Sequence, residues 1–407
     1  MKRLHSQSGT TTRGGTLMPA LAMVILVIGV AAALILDRLW LDAARVELTT
    51  AAEAAALAAA GRLADDDRLR TNADTTAIIE AARFTAVAIA ADNRVAGSEV
   101  HLDSSPDGDI RFGVVTDDPT TGEPVFLETD HHPSSVIVRA QAIRRRGNGV
   151  ALFFRHLTGV ETGNVASIAE ASINNHVIGF HAILGANVPA MPLGILESDT
   201  TGSRNDTWDW QIVQQHGQDL YGYDETTHSV TQSPDGIREM VLTSTSSSSQ
   251  GNPTQEAASQ VTSPNFQIID AGNGLIEKQC RRQILEGWDE EDLTTFGGEF
   301  ILTGTPVSIE GTDKLLSGLN DDFVKMIGHK RICVLYQDPG QSNGSGIKRL
   351  LATQFVAGRI LAIEGTGTET TQIVFQPTVM ATRTAIIDQS QSDELANPYV
   401  YNLQLTH

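Results

Sequence analysis

The sequence predicts an α+β protein: an N-terminal transmembrane helix continues into a long helical stem, and β-rich regions with a few helices follow. Three observations carry this. Residues 17–36 read LMPALAMVILVIGVAAALIL and hold no charge; an uncharged apolar run of about 20 residues, helical at 1.5 Å per residue, spans the roughly 30 Å core of a bilayer. Residues 37–63 read DRLWLDAARVELTTAAEAAALAAAGRL, a composition dominated by the strongest helix formers. Beyond residue 92, short alternating apolar runs are separated by turn formers such as Ser105-Pro106-Asp107-Gly108 and Asp118-Pro119-Thr120-Thr121-Gly122, which is the pattern of hairpins.

Residues 1–16 form a cytoplasmic tail in this reading and 17–36 the membrane helix. Pro19 falls in the first helical turn, where a missing N–H is tolerated. Gly29 and Ala33 give the small-xxx-small spacing that lets a second helix approach, and are the candidate transmembrane packing residues. Lys2, Arg3 and Arg13 precede the apolar run with no acidic residue among them, so the positive-inside rule places the N-terminus in the cytoplasm and the body outside it, single-pass. A cleaved secretory signal shares the basic start and apolar core, but its core is about 7–15 residues long, and here helical character continues without a break. In the stem, residues 37–63, Leu41, Ala44, Leu48, Ala51, Ala55 and Ala58 recur at three- and four-residue steps as one mild apolar face. Trp40 stands where an interfacial aromatic anchor belongs. One helix over 17–63 would be about 70 Å long.

Residues 64–197 read as an exported α+β domain, with a helix at 75–91 and strands near 99–102, 109–115, 125–127 and 135–143. Residues 198–260 are polar, with a Ser-rich stretch at 244–253, and read as a linker or a long loop. Residues 261–407 read as a C-terminal β-rich domain. Helices are expected at 273–286 and 312–327, with strands at 299–309, 331–336, 350–364 and 371–383.

The net charge of −20 repels phosphate backbones and excludes nucleic acid as a natural partner; the run Arg144-Arg145-Arg146 reads as solvated surface. The two cysteines, Cys280 and Cys333, cannot make a metal site alone. Outside the cytoplasm they could form one disulfide, or remain two separate buried thiols. Gly340-Gln341-Ser342-Asn343-Gly344 matches G-x-S-x-G, but no helix-like segment follows it and the one later histidine is His407, so a flexible hairpin loop is expected rather than a nucleophile elbow. His131-His132 precedes Pro133 in a turn, His176 and His181 do not share a helical face, and Asp289-Glu290-Glu291-Asp292 lacks the spaced oxygens of a calcium loop. The sequence therefore gives no catalytic, cofactor-binding or metal-ligating residue, and no small-molecule substrate.

Arg13-Gly14-Gly15 before the apolar run, Asp37-Arg38-Leu39-Trp40 after it, and the run Ala51-Ala52-Glu53-Ala54-Ala55-Ala56-Leu57-Ala58-Ala59-Ala60-Gly61 resemble the N-terminal region of TadG-like proteins of bacterial Flp (tight-adherence, Tad) pilus systems, over residues 13–63. Val136-Ile137-Val138-Arg139-Ala140, Phe153-Phe154, the segment 165–171 and Met191-Pro192-Leu193-Gly194-Ile195 resemble later parts of that family. The resemblance implies a pilin-like stem, a bacterial inner-membrane location, and a pilin-like or accessory part in pilus assembly played through contacts with membrane lipid and other Tad/Flp proteins or pilins, without catalysis. Ala20 stands where prepilins carry a glutamate five residues after the cleavage glycine, which argues against peptidase processing. Some family members carry a metal-binding von Willebrand A-type domain; Asp199-Thr200-Thr201-Gly202-Ser203 fits its D-x-S/T-x-S pattern only superficially, since no apolar strand leads into Asp199. The alternatives are a membrane-tethered surface adhesin or envelope protein with a pilin-like anchor, and an exported serine hydrolase using Ser342.

Overall fold

The structure is a computed structural model. It describes residues 17–70, 75–118, 120–199, 201–225, 227–243, 264–312, 319–340, 346–364, 372–388, 390 and 396–406. Its principal helices are α1 (Leu17–Leu63) and α2 (Thr75–Asp92). The principal strands are β1 (Ile110–Asp117), β2 (Pro124–Glu128), β3 (Ser135–Ala142), β4 (Val165–Asn174), β5 (Ala190–Leu196), β6 (Met240–Thr243), β7 (Phe266–Ile269), β8 (Val307–Thr312), β9 (Lys330–Gln337), β10 (Ile347–Glu364), β11 (Gln372–Pro377), β12 (Met380–Thr382) and β13 (Val400–Leu405). The chain is mixed α+β with one long apolar N-terminal helix. It divides into two compact units, each gathered from separate stretches: Met1–Ala56, Phe84–Arg111 and Ile137–Glu170 in the first, Leu57–Arg83, Phe112–Val136 and Ala171–His407 in the second.

The first unit is organised on α1. Helix formers run unbroken from Leu17, and the helix continues through residue 37 because neither proline nor a glycine pair interrupts it. Met18 to Val27 are solvent-exposed apolar side chains in their majority, and the most apolar window of the helix is only 6% buried. From there a buried stripe runs along one face: Ala33, Asp37, Ala44, Leu48, Ala51, Ala52, Ala55 and Ala56, the three-and-four spacing of a helix face turned toward protein. Small side chains permit close approach. At Gly163, a Cβ would collide with the side chain of Leu41. A second buried feature lies at Asp109, whose carboxylate accepts both guanidinium nitrogens of Arg146 at 2.6 and 2.8 Å. Arg144 binds the Thr162 carbonyl at 2.8 Å; the three arginines are exposed, and two of them also make contacts within the unit.

In the second unit the alanine stripe of α1 continues through Ala59, Ala60 and Leu63. The main sheet has the order β6-β11-β10-β8-β7-β5-β9, and β9 also pairs with β10. Strands β10, β8, β7, β5 and β9 thereby close a ring. A ring of five strands cannot alternate direction all the way round; the one parallel pair is β5 with β9, and the other four are antiparallel. The long β10 serves three neighbours in succession, pairing with β8 from Ile347, with β9 as far as Arg359 and with β11 to Glu364. Register shifts at Leu335/Tyr336 and Ile360/Ala362 let it bend between them. A three-stranded sheet, Glu299–Ile301 beside Val177–His181 beside Ala385–Ile387, packs its aromatics into the same core: Phe355 lies 4.7 Å from the ring of Phe180 and 5.2 Å from that of Phe300. The C-terminal parts of β4 and β13 pair antiparallel from Ala171 to Asn174, and β12 pairs parallel with β13.

Several expectations change in detail. The region read as a polar linker is ordered up to Thr243, with a π-helical turn at Asp209–Val213, a hairpin at Gly222–Asp224 and Ser229–Thr231, and β6 inside the main sheet; Trp208, Ile212, Ile237, Met240 and Leu242 are buried. Their wide spacing hides them in a polar stretch. Residues 244–263 lie outside the described residues. The helix expected at 273–286 is Glu277–Glu286, because Gly272, Asn273 and Gly274 take positive φ and form a left-handed turn that helix cannot contain. The expected strand 299–309 is two strands, parted at Gly304 and Pro306. Of the helix expected at 312–327, Leu319–Lys325 is helical, and Thr312 ends a strand. The candidate disulfide is not formed: Cys280 and Cys333 are free buried thiols. Burial pushes the Cys280 thiol up to about 11 and Cys333 higher still, so neither supplies the reactive thiolate.

Truncating Phe355 to Ala should remove the ring shared by Phe180 and Phe300 and lower unfolding stability by about 3–5 kcal/mol, read as a reduced denaturation midpoint of the full chain in detergent at unchanged m-value.

Candidate functional site

The apolar half of α1 ends at a built junction in the first unit. Asp37 follows Leu36 directly and lies on the buried stripe, 5% exposed. Its Oδ1 accepts the backbone N–H groups of Phe153 and Phe154 at 2.9 and 3.3 Å, and its Oδ2 has no hydrogen-bond partner among the described residues. One turn on, the Trp40 indole Nε1 donates to the Ala151 carbonyl at 3.1 Å, and its ring lies 4.9 Å from that of Phe153. Leu36, Leu39, Trp40, Ala43, Phe153 and Phe154 line an open apolar groove of about 520 Å³. Further along the stem, Glu47 accepts the Ala96 N–H at 2.8 Å, and the hydroxyls of Thr49 and Ser167 are 2.9 Å apart. Ala96 has a φ of 50°, a left-handed conformation unusual for alanine that its bond to Glu47 accompanies. The stem is thus held both by its alanine face and by side chains that satisfy backbone groups of the surrounding loops.

The sequence-stated packing pair falls within this helix. Gly29 is exposed, with open space where a Cβ would stand, whereas Ala33 is buried. Sequence reasoning noted Asp37 as a flank and Trp40 as an anchor but did not find their partner loop. The available signal was an acidic residue placed in step with Leu41, Ala44 and Leu48 on the face that becomes buried.

A second cluster, in the second unit, follows the end of α1. Asp66 receives Lys330 Nζ at 3.0 Å, Arg359 at 3.2 Å and the Val379 N–H at 2.8 Å, together with the Thr378 hydroxyl. Arg359 is buried, stacked 3.6 Å from the centre of the Tyr223 ring, and also reaches Glu225 at 2.8 Å. Burial by itself would raise the Asp66 pKa, but Lys330, Arg359 and the two hydrogen bonds outweigh it and hold the carboxyl below its ordinary value.

The remaining candidates are occupied by their own structure. Asp199 accepts from Thr201 and Ser203, backbone and hydroxyl alike, and from the Arg204 N–H; these bonds hold its carboxyl far below the usual range and make a turn. Asp289 and Asp292 cap each other's backbone, and Asp292 is bound by Arg282 and Gln283. A groove of about 420 Å³ includes Asp206 and Glu239, but Asp206 is forked onto Arg204 and Glu239 accepts the N–H groups of Leu220 and Tyr221. Ser342 lies outside the described residues; the strands on either side, β9 and β10, pair antiparallel as a hairpin, not as a strand leading into a helix. Among the described residues, no group of three or more His, Cys, Asp or Glu is placed to hold a metal ion. No protein-family model matches the chain, and no curated protein or solved structure matches it.

Replacing Asp37 by Leu should speed hydrogen exchange at the Phe153 and Phe154 amides by about tenfold or more, the equivalent of a hydrogen bond to a charged group at roughly 1.5–3 kcal/mol, while leaving exchange in β9 and β10 unchanged. For Asp66, the stabilisation is complete above the ordinary carboxylate pKa of 3.8 and is lost as pH falls through the lowered folded value. Asp66→Asn should cost about 3 kcal/mol at neutral pH, as breaking a buried ion pair does, and should flatten the acid limb of a stability-versus-pH curve; an unaltered acid limb would show that the cluster is not linked to folding.

Proposed function

We propose that the chain is a membrane-anchored, pilin-like or accessory component of a bacterial Flp/Tad pilus-assembly apparatus, acting by protein–protein contact and not by catalysis. In this reading it sits single-pass in the inner membrane, with its N-terminus cytoplasmic and its body extracytoplasmic. The observation that carries the reading is the division of α1: one unbroken helix, its first half an exposed apolar band long enough to span a bilayer, its second half an alanine face built into protein. The resemblance of residues 13–63 to TadG-like proteins supports the pilus assignment, and Lys2, Arg3 and Arg13 support the orientation. The engagement of the buried carboxylates in ion pairs and turns favours contact over chemistry. Gly29, open and apolar-flanked within the band, is where a neighbouring helix could come close.

In cells that make the chain, a photo-crosslinker placed at position 29 should join it to a protein of the pilus apparatus. Gly29→Leu should diminish both that adduct and the number of surface pili while leaving the thermal unfolding of the purified protein unchanged. Wild-type piliation in cells lacking the chain would refute the assignment.

A further inference from the structure

The loop that Asp37 and Trp40 hold beside the helix carries a surface the proposed function does not use. From Phe153 to Val160 the chain makes one short helical turn, Arg155–Thr158, closed by Gly159 at a φ of 72°. Phe153 is 65% exposed, Leu157 53% and Val160 43%, and on the helix beside them Leu36 is 50% and Leu39 58% exposed. Single exposed apolar residues are ordinary. Leu36, Leu39 and Phe153 are contiguous through the groove they line with Trp40, Leu157 and Val160 follow Phe153 within the same short turn, and the groove is an extension of the apolar band of α1 rather than an isolated patch.

The depth is set by covalent geometry. Trp40 lies about 6 Å along the helix beyond Leu36, and the polar headgroup layer on each side of a bilayer core is about 5–8 Å thick. Asp37 and Trp40 tie residues 151–154 to that one turn of helix. If the band from Leu17 to Leu36 spans the core, the loop stands in the headgroup layer. Its charge suits that place: residues 153–160 include Arg155 and His156 and no acidic residue, and Arg155 is exposed. Aromatic side chains with a basic neighbour are the composition of an interfacial anchor.

We propose that residues 153–160 are a membrane-surface loop. Phe153, Leu157 and Val160 seat in the boundary between headgroups and acyl chains alongside Leu39 and Trp40, and Arg155 meets lipid phosphate. The occupant is the phospholipid bilayer that holds α1, and the proposal rests on α1 being its span.

The test uses the full chain in vesicles of phosphatidylcholine and phosphatidylglycerol, with the fluorophore NBD on one introduced cysteine at a time. Cys280 and Cys333 are buried and stay unlabelled. Leu157→Cys is the probe, Ile28→Cys reports the band, and Ser98→Cys reports the body, close to Ala96 and the Glu47 level of the stem. The Leu157 probe should be quenched by a nitroxide on the lipid acyl chain severalfold more than the Ser98 probe, and protected from aqueous iodide; Arg155→Glu should move it toward water in the anionic vesicles. Iodide access equal to that at Ser98, with Ile28 still lipid-quenched, overturns the loop proposal alone. Ile28 and Leu157 both open to iodide overturn the span and the loop together. A Leu157 probe shielded from both quenchers means that protein, a second copy or another partner, covers this face, and that also overturns it.

Discussion

One helix changes character within a single turn, from an outward-facing apolar band to a face built into protein. Up to Leu36, α1 presents apolar side chains outward on nearly every face, which suits lipid. From Asp37 on, one face is buried and the others carry Arg38, Asp42, Arg45 and Glu47. The residue at the change is itself polar and buried. A carboxylate taken out of water is costly unless it is hydrogen-bonded, and backbone N–H groups of a loop at an apolar boundary carry the same liability. Asp37 and the amides of Phe153 and Phe154 relieve each other, as Trp40 and the Ala151 carbonyl do. The loop is therefore held to that turn of the helix by polar groups that satisfy one another.

Along the stem the same economy appears in side-chain size. The buried stripe is almost all alanine, with Leu48 and Leu63 as the two large members. Alanine contributes little area to burial, but it costs no side-chain entropy in a helix and lets neighbouring backbone come close, as Gly163 does against Leu41. Stability then comes from length: several successive turns each bury a small residue, and polar contacts at Glu47 and Thr49 fix the rotation of the helix about its axis. After Leu63 the task passes to charge. Asp66 sits among Lys330, Arg359, Thr378 and the Val379 amide, so the first turn after the stem is tied to three distant segments of the chain.

The long helix was legible in the sequence to its ends, 17–63, because an uncharged run followed by an alanine-rich heptad-like face leaves few alternatives. The strongest strands, near 135–142, 330–337 and 347–364, were legible because they are rich in Val, Ile and Phe. The predicted apolar face ended on Ala58, but the buried stripe moves on to Ala59 and Leu63; a helix of 3.6 residues per turn drifts against a strict seven-residue repeat, and packing decides where the drift is taken up. What single-sequence periodicity could not reach was anything that depends on distant pairing. The ring closed by β9 on β10, the placement of β6 at the edge of that sheet, and the partnership of Asp37 with residues 153–154 all join segments tens to hundreds of residues apart. Likewise, nothing local in the sequence pairs Arg146 with Asp109, 37 residues away, until the fold brings them together.

The buried acids bear on what kind of work the molecule does. Asp66, Asp109, Asp292 and Asp322 each face at least one arginine or lysine, and Glu239 is held by backbone amides. A carboxylate so engaged is geometrically committed; a general acid or base needs one that is reachable. Among the buried carboxylate oxygens of the described residues, Oδ2 of Asp37 stands without a partner. It follows the apolar band directly, on the turn where Leu36, Leu39 and Trp40 line a groove with Phe153 and Phe154. The described part of the fold does not itself satisfy this acceptor, which marks the boundary between the apolar band and the stem.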